Sequence, residues 1–259
     1  MAEIHPSAVV APGAEIAEDA VVGAFVVIGP KVSIGAGCVI GPHAVIDGRT
    51  TIGSRNHICP FVSIGQPPQD FSYAGEDTEV VIGDDNTFRE QVTIHRGTVR
   101  GRGRTTIGSH CYLMVGAHVA HDCLVGDHVI MANGATLGGH VQIDDHASLG
   151  GLVAIHQFVK IGTHAFLGGM SGLRMDMPPY MLGFGAPAKL YGPNSVGLKR
   201  FGVSSDAILA LKRAYKIIFR SSLNLKEALE RVRQEVQPCP EVQTLVQFMI
   251  DHSKRGVTK

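Results

Sequence analysis

Residues 16–46 read IAEDAVVGAFVVIGPKVSIGAGCVIGPHAVI, and every sixth residue from Ile16 is Ile or Val. The series runs back through Val10 to Ile4 and forward through Ile52 and Ile58 to Ile64. The same phase returns at Ile82, Phe88 and Ile94. After a one-residue shift it resumes at Ile107, Leu113, Val119 and Val125 and continues in sixes to Leu167 and Leu173. Gly often follows the anchor, as at Gly23, Gly29, Gly35 and Gly41. Four places after the anchor comes a compact residue, such as Ala20, Val26, Cys38 or Ala44. A helix repeats every 3.6 residues and a strand every two, so neither accounts for a period of six. A coil with short flat faces does, each hexad supplying one face and pointing its β-branched anchor inward. Stacked coils then form parallel sheets, and Gly after the anchor is expected to ease the corners.

This period resembles the hexapeptide-repeat proteins, whose coils are triangular, with three hexads per turn, and left-handed. The resemblance implies a mainly β chain: a left-handed parallel β-helix over residues 1–190, followed by an α-helical C-terminal domain over 191–259. Two segments interrupt the repeat. Residues 66–80, QPPQDFSYAGEDTEV, replace two hexads without changing the phase. Residues 97–105, GTVRGRGRT, account for the one-residue shift. Both are expected to project as loops, and loops on a rigid scaffold commonly carry function. Past Pro178-Pro179 the repeat fades. Ser204 or Ser205 can cap a helix with Ile208, Leu211, Tyr215, Ile218 and Phe219 on one face. Asn224 and Glu227 resemble a capping box, and Pro240 opens a third helix. This tail is expected to cover the open end of the coil.

Composition narrows the function classes. The 259 residues contain 32 Gly and no Trp, as expected of a narrow repetitive core. The five Cys lack CxxC spacing, and Cys38, Cys111 and Cys123 fall in the compact slot of the repeat, so they read as reduced core residues of a cytoplasmic protein. The start MAEIHPSAVV lacks the pattern of a signal peptide, and no apolar run is long enough to span a bilayer. Formal net charge is zero, yet residues 1–189 carry 11 Lys/Arg against 17 Asp/Glu and residues 190–259 carry 12 against 6. A basic tail, with Lys199, Arg200, Lys212, Arg213, Lys216 and Arg220, suits an acidic protein partner. No nucleic-acid partner is expected.

Among 13 His, four stand out: His118, His121, His140 and His156. An 18-residue coil places residue n beside n+18. His140 then stacks on Asp122, Gly139 on His121, and Gln157 on Gly139. His121 thus has a carboxylate beside it in sequence and a residue without a side chain above it. An imidazole can take a proton from an attacking hydroxyl, a backbone N–H can stabilise an oxyanion, and Asp122 can orient the ring. A structural His is an equally common reading of HVAHDC. A zinc site is disfavoured, since the closest pair is His118-x2-His121 rather than His-x4-His. The stretch 101–104, GRGR, lacks the GK[ST] of a phosphate loop.

Longer strings carry a closer resemblance. TIHRGT (93–98), AHVAHDC (117–123), GGHV (138–141), AIHQF (154–158), MPPY (177–180) and NSVGLKR (194–200) occur in the order found in bacterial UDP-N-acetylglucosamine O-acyltransferases. The resemblance covers nearly the whole chain. It implies transfer of a (3-hydroxy)acyl chain from acyl carrier protein to the glucosamine 3-position of UDP-N-acetylglucosamine, the opening step of lipid A biosynthesis. It implies a homotrimer and no metal or redox cofactor. His121 matches the general base, Asp122 its orienting carboxylate and Gly139 the oxyanion donor. His118, His140, His156 and Gln157 match residues lining the substrate groove, Asp70 a residue near the glucosamine and acyl chain, and Gly169 the position that sets chain length. Asn194 and Arg200 match positions reaching the uridine diphosphate. Two departures stand out: Phe201 where the family often has a second Arg, and Ser72 where it usually has Lys. Ser72 keeps open an acceptor with a 3-amine; a related transferase acting on another sugar nucleotide is the other alternative.

Overall fold

The computed structural model describes residues 2–251 and 255–259. Each hexad forms a strand of about two residues and a tight corner. In Val27–Ile28 and Thr136–Leu137 the anchor is buried and its predecessor exposed. Successive coils pair in parallel with an offset of 18 residues, as in Val21↔Val39 and His118↔Thr136. Three sheets result, of 11, 9 and 8 strands, visited in that order by the chain; they are the first, second and third faces below. The anchors and the compact residues fill one continuous core. The inward-pointing expectation fails only in the first coil, where Ile4 is 42% exposed and Val10 and Ile16 are half-buried. Those side chains have a coil on one side only.

The corners work differently from the expectation. Most glycines after the anchor, such as Gly23 and Gly35, are not in the left-handed region; Gly65 (φ 81°), where the first insertion leaves, is the exception. The left-handed residue lies three places after the anchor and is usually not Gly: Phe25 (φ 58°), His110 (58°), Asp122 (60°) and His140 (63°) are examples. Gly after the anchor answers to close approach instead. A Cβ on Gly23 would lie 2.9 Å from the Ile40 carbonyl oxygen, and one on Gly35 2.6 Å from the Gly53 carbonyl carbon.

Both insertions leave from the second face and rejoin at the third. Strands Ser63–Gln66 and Glu79–Ile82 bound the first, and strands Thr93–His95 and Arg104–Ile107 bound the second. They stretch their coils, so that His57 pairs with Thr87 and Thr93 with His118. The loops therefore emerge from one edge of the prism, on adjacent coils, and the Glu79 N–H donates to the Gly103 carbonyl at 3.0 Å.

At the other end a hairpin precedes the helices, which the sequence reading did not anticipate. Met181–Gly185 continues the first face and turns back antiparallel as Ala188–Pro193, across the division placed at 190/191. Among the described residues four helices follow: α1 (Ser195–Arg200), α2 (Ser205–Arg220), α3 (Leu225–Glu235) and α4 (Pro240–Ile250). Ser204 caps α2, Asn224 and Glu227 form the capping box of α3, and Pro240 is the first residue of α4. The Tyr215 hydroxyl donates to the Leu190 carbonyl at 3.1 Å, which fastens α2 to the hairpin. The Thr258 N–H donates to the Asp176 carbonyl at 2.8 Å, so residues 255–259 return to the coil end. Among the described residues no helix is long and apolar enough to cross a membrane.

Candidate active site

Val119 is the anchor of a second-face strand, and the corner after it holds His121 and Asp122. The left-handed backbone at Asp122 turns its side chain under the second loop, where the carboxylate is fully buried. There it accepts hydrogen bonds from the Thr98 hydroxyl (2.6 Å), the Thr98 N–H (3.1 Å) and the Arg102 N–H (2.8 Å). His121 Nδ1 lies 2.9 Å from Asp122 Oδ2. Burial alone would raise the Asp122 pKa; donation from His121, Thr98 and Arg102 outweighs it, and the value falls to about 2. An ionised carboxylate at Nδ1 selects the tautomer with the proton there, leaving Nε2 as a base.

Gly139 sits on the ring as the 18-residue offset requires: a Cβ there would lie 2.5 Å from His121 Cε1. His140 meets His121 edge-on at 5.1 Å, and its Nε2 is 3.8 Å from Asp122 Oδ2. Burial pushes the His140 pKa down. His118 Nδ1 is 2.7 Å from the Thr93 hydroxyl. Burial first, then His95 and His121, push His118 down to about 4, so it is neutral at pH 7.

A cleft of about 590 Å³ opens beside His121, lined also by Asp70, Ser72, Arg100, His140 and Gln157. Asp70 belongs to the first loop, and the Ser72 N–H and hydroxyl donate to it at 2.8 and 2.9 Å. These bonds hold the Asp70 carboxyl below its ordinary pKa. The loop is tied down by Arg96, which donates to the Tyr73 hydroxyl (2.9 Å) and the Gly65 carbonyl (2.8 Å). His156 is exposed beside Gln157, its Nδ1 3.2 Å from the Gln157 carbonyl.

Three expected site residues lie elsewhere on the prism. Gly169 follows Leu167, an anchor of the first face, and so occupies the corner between first and second faces. Asn194 caps α1, accepting from the Gly197 N–H at 3.1 Å, and its amide donates to the His164 carbonyl at 3.3 Å, at the corner between third and first faces. Arg200 is exposed at the end of the same helix. Phe201, in place of a second Arg, packs edge-on against the rings of His146 and His164.

The sequence reading missed the enclosure of Asp122. Thr98, Gly101 and Arg102 belong to the insertion, and a Cβ on Gly101 would lie 2.3 Å from the Asp122 Cγ. TIHRGT and the close glycines of 101–104 were the available signal. Among the described residues, His121, Asp122 and His140 bring their ligand atoms within 4.8 Å of one another. The Asp122 oxygens are already taken by N–H and O–H donors, so the chemistry is that of a hydrogen-bonded base and carboxylate.

Known proteins resemble this chain along nearly its whole length. A family model described as UDP-N-acetylglucosamine O-acyltransferase, domain 2, matches residues 176–258, and one for bacterial transferase hexapeptides matches 104–139. An acyl-[acyl-carrier-protein]–UDP-N-acetylglucosamine O-acyltransferase of Syntrophobacter fumaroxidans is 59% identical over 99% of this chain and 100% of its own. Its counterpart in Thermodesulfovibrio yellowstonii is 51% identical over the whole of both chains. The solved structure of LpxA from Acinetobacter baumannii superposes with a TM-score of 0.96 at 43% identity, covering 99% of each chain. The Moraxella catarrhalis UDP-N-acetylglucosamine O-acyltransferase gives 0.95 at 41%, with the same coverage. This left-handed β-helix with its helical tail belongs to the acyl-[acyl-carrier-protein]–UDP-N-acetylglucosamine O-acyltransferase family.

Proposed function

We propose that His121 is the general base by which this chain transfers an acyl group from acyl carrier protein to UDP-N-acetylglucosamine, the first step of lipid A biosynthesis. The observation that carries the role is the His121–Asp122 contact at 2.9 Å beside the bare face of Gly139. Nε2 takes the proton of the sugar 3-hydroxyl as its oxygen attacks the thioester carbonyl. The Gly139 N–H holds the tetrahedral oxyanion, and Asp122 stabilises the imidazolium. Collapse breaks the C–S bond; the leaving thiolate takes the proton back from His121. The products are a 3-O-acyl sugar nucleotide and the free carrier thiol. His118, His140, Gln157 and Asp70 position the sugar, with His156 at the outer edge of the groove. Gly169 leaves room for a long chain.

The same reading requires a second copy of the chain. Asn194, Arg200 and Gly169 lie on corners that one prism cannot fold onto His121. A homotrimer brings the corner of one copy against its neighbour and supports a site shared between them. A cytoplasmic setting goes with a carrier-protein donor. Lys212, Arg213 and Lys216, exposed along α2, offer that acidic carrier a basic face. Arg220 is partly committed to the fold: it donates to the Leu190 carbonyl at 2.6 Å and lies over the Tyr215 ring.

The test is complementation. His121→Ala and Arg200→Ala chains are each assayed alone with labelled carrier thioester and UDP-N-acetylglucosamine, then refolded together. Activity regained on mixing supports a shared site. Two inactive variants that stay inactive in mixed oligomers overturn it.

A further inference from the structure

Next to the catalytic cleft lies a second groove, of about 660 Å³, which the mechanism above leaves unused. Its floor is a pair of stacked rows. Phe158 stacks on His140 at 4.4 Å with 7° between the rings, and Gln142 pairs with Lys160 on adjacent strands. Arg102 overhangs one side from the second loop. Arg255, from the returning C-terminal segment, holds its guanidinium 5.9 Å from the Phe158 ring centre. Among the described residues the lining brings together three cationic side chains and no carboxylate. The Asp122 carboxylate lies behind the lining, 3.8 Å from His140 Nε2 and bonded to Thr98, Arg102 and His121; Asp144 and Asp251 line the adjoining groove with Lys160, whose ammonium also reaches the Asp251 carbonyl at 3.4 Å. Gly101, His140 and Phe158 line both this groove and the His121 cleft, so the two are continuous.

We infer that this groove is a phosphate-ester subsite, formed by Arg102, Lys160 and Arg255, which anchors the anionic part of a substrate beside His121. The inference rests on the function proposed above, because both substrates of that reaction carry phosphate esters. The donor has a phosphodiester in its phosphopantetheine arm, and the acceptor has a diphosphate. Convergent Arg and Lys side chains in a concave site suit such groups. An aromatic floor lowers the local dielectric and strengthens the attraction. Arg102 reaches Asp122 through its backbone N–H, so its side chain can be changed without removing that bond.

Steady-state kinetics with each substrate varied will test this on the full-length enzyme. The probes are acyl carrier protein thioester and UDP-N-acetylglucosamine. In the double variant Arg102→Gln/Lys160→Gln, KM for one substrate is expected to rise roughly tenfold or more, the factor that one charge-assisted contact supplies. A rise for the donor assigns the groove to the phosphodiester; a rise for the acceptor assigns it to the diphosphate. Arg102→Lys/Lys160→Arg, which keeps both charges, is expected to return that KM to within a few-fold of wild type. Two KM values unchanged in the neutral variant, or an equal loss in the charge-keeping one, overturn the subsite. A wild-type enzyme that fails to acylate UDP-N-acetylglucosamine would overturn the function instead.

Discussion

Two corners of the same prism use their histidines in opposite ways. At the corner between third and first faces, His110, His128, His146 and His164 recur every 18 residues, each in the left-handed turn position. Their rings stack in a column with centres 4.7 Å apart and within 8° of parallel. That is the coil spacing itself, expressed by identical side chains on successive turns. At the corner between second and third faces the column is broken. Asp122, His140 and Phe158 take the turn positions, and His121 stands one place earlier, 89° to the His140 ring. The ladder is what the repeat produces when nothing interrupts it. The active corner departs from it through a carboxylate in the turn, a glycine above the imidazole and two loops emerging on the coils just before.

If this contrast is right, His121→Ala should lower kcat by about 100- to 10,000-fold with the fold intact. His146→Gln should leave kcat within about twofold, because its ring is stacked between His128 and His164 and its Nδ1 has no hydrogen-bond partner among the described residues. Acylation assays on both variants, with circular dichroism to check folding, decide it. Comparable losses in the two would erase the distinction.

Thr98→Val probes the loop that encloses Asp122. It deletes the 2.6 Å hydroxyl bond to a buried carboxylate. A stability loss of about 1.5–3 kcal/mol is expected from one charge-assisted bond, together with a kcat reduced about tenfold. The Asp122 pKa should rise from about 2, moving the titration profile of that carboxylate, followed by NMR, to higher pH. An unshifted profile in a stable variant would mean that the loop only encloses the carboxylate and does not tune it.

Acid stability separates the corners more gently. Burial lowers the pKa of His95, His118 and His140 near the active corner and of His164 in the ladder. Each such group takes up its proton more readily when unfolded. The folded state therefore loses stability as pH falls from the ordinary His value of 6.5 toward the folded one, about 4 for His118. Urea midpoints at pH 7 and pH 5 should differ less in His118→Gln than in wild type, with a smaller change in His164→Gln. The reverse order would place the sensitive group in the ladder.

The smallest effect is expected at Ser72. Its hydroxyl already donates to Asp70 at 2.9 Å, so it reads as a loop-shaping residue. In competition between UDP-N-acetylglucosamine and its 3-amino analogue, Ser72→Lys should keep the preference for the hydroxyl acceptor, with KM altered no more than about threefold. A reversal of preference would make residue 72 the selector of the acylated atom.

The sequence alone was enough for the coil, because a six-residue period is a local property: each anchor repeats the same demand for burial. It was enough for the stacking of Gly139 on His121, because the offset of 18 is arithmetic once three faces are known. The caps at Ser204 and Asn224 were legible for the same reason, being satisfied within a few residues. Tertiary structure decided the rest. The histidine ladder was written in the spacing of 110, 128, 146 and 164, yet only the corner geometry turns that spacing into stacked rings. The burial of Asp122 depends on Thr98 and Arg102, 20 or more residues away along an insertion whose path no period dictates. The distribution of Asn194, Arg200 and Gly169 over other corners follows from which face each preceding strand joins, and one coil in isolation carries no mark of that. Loops and corners answer to partners distant in sequence, while the repeat answers only to itself.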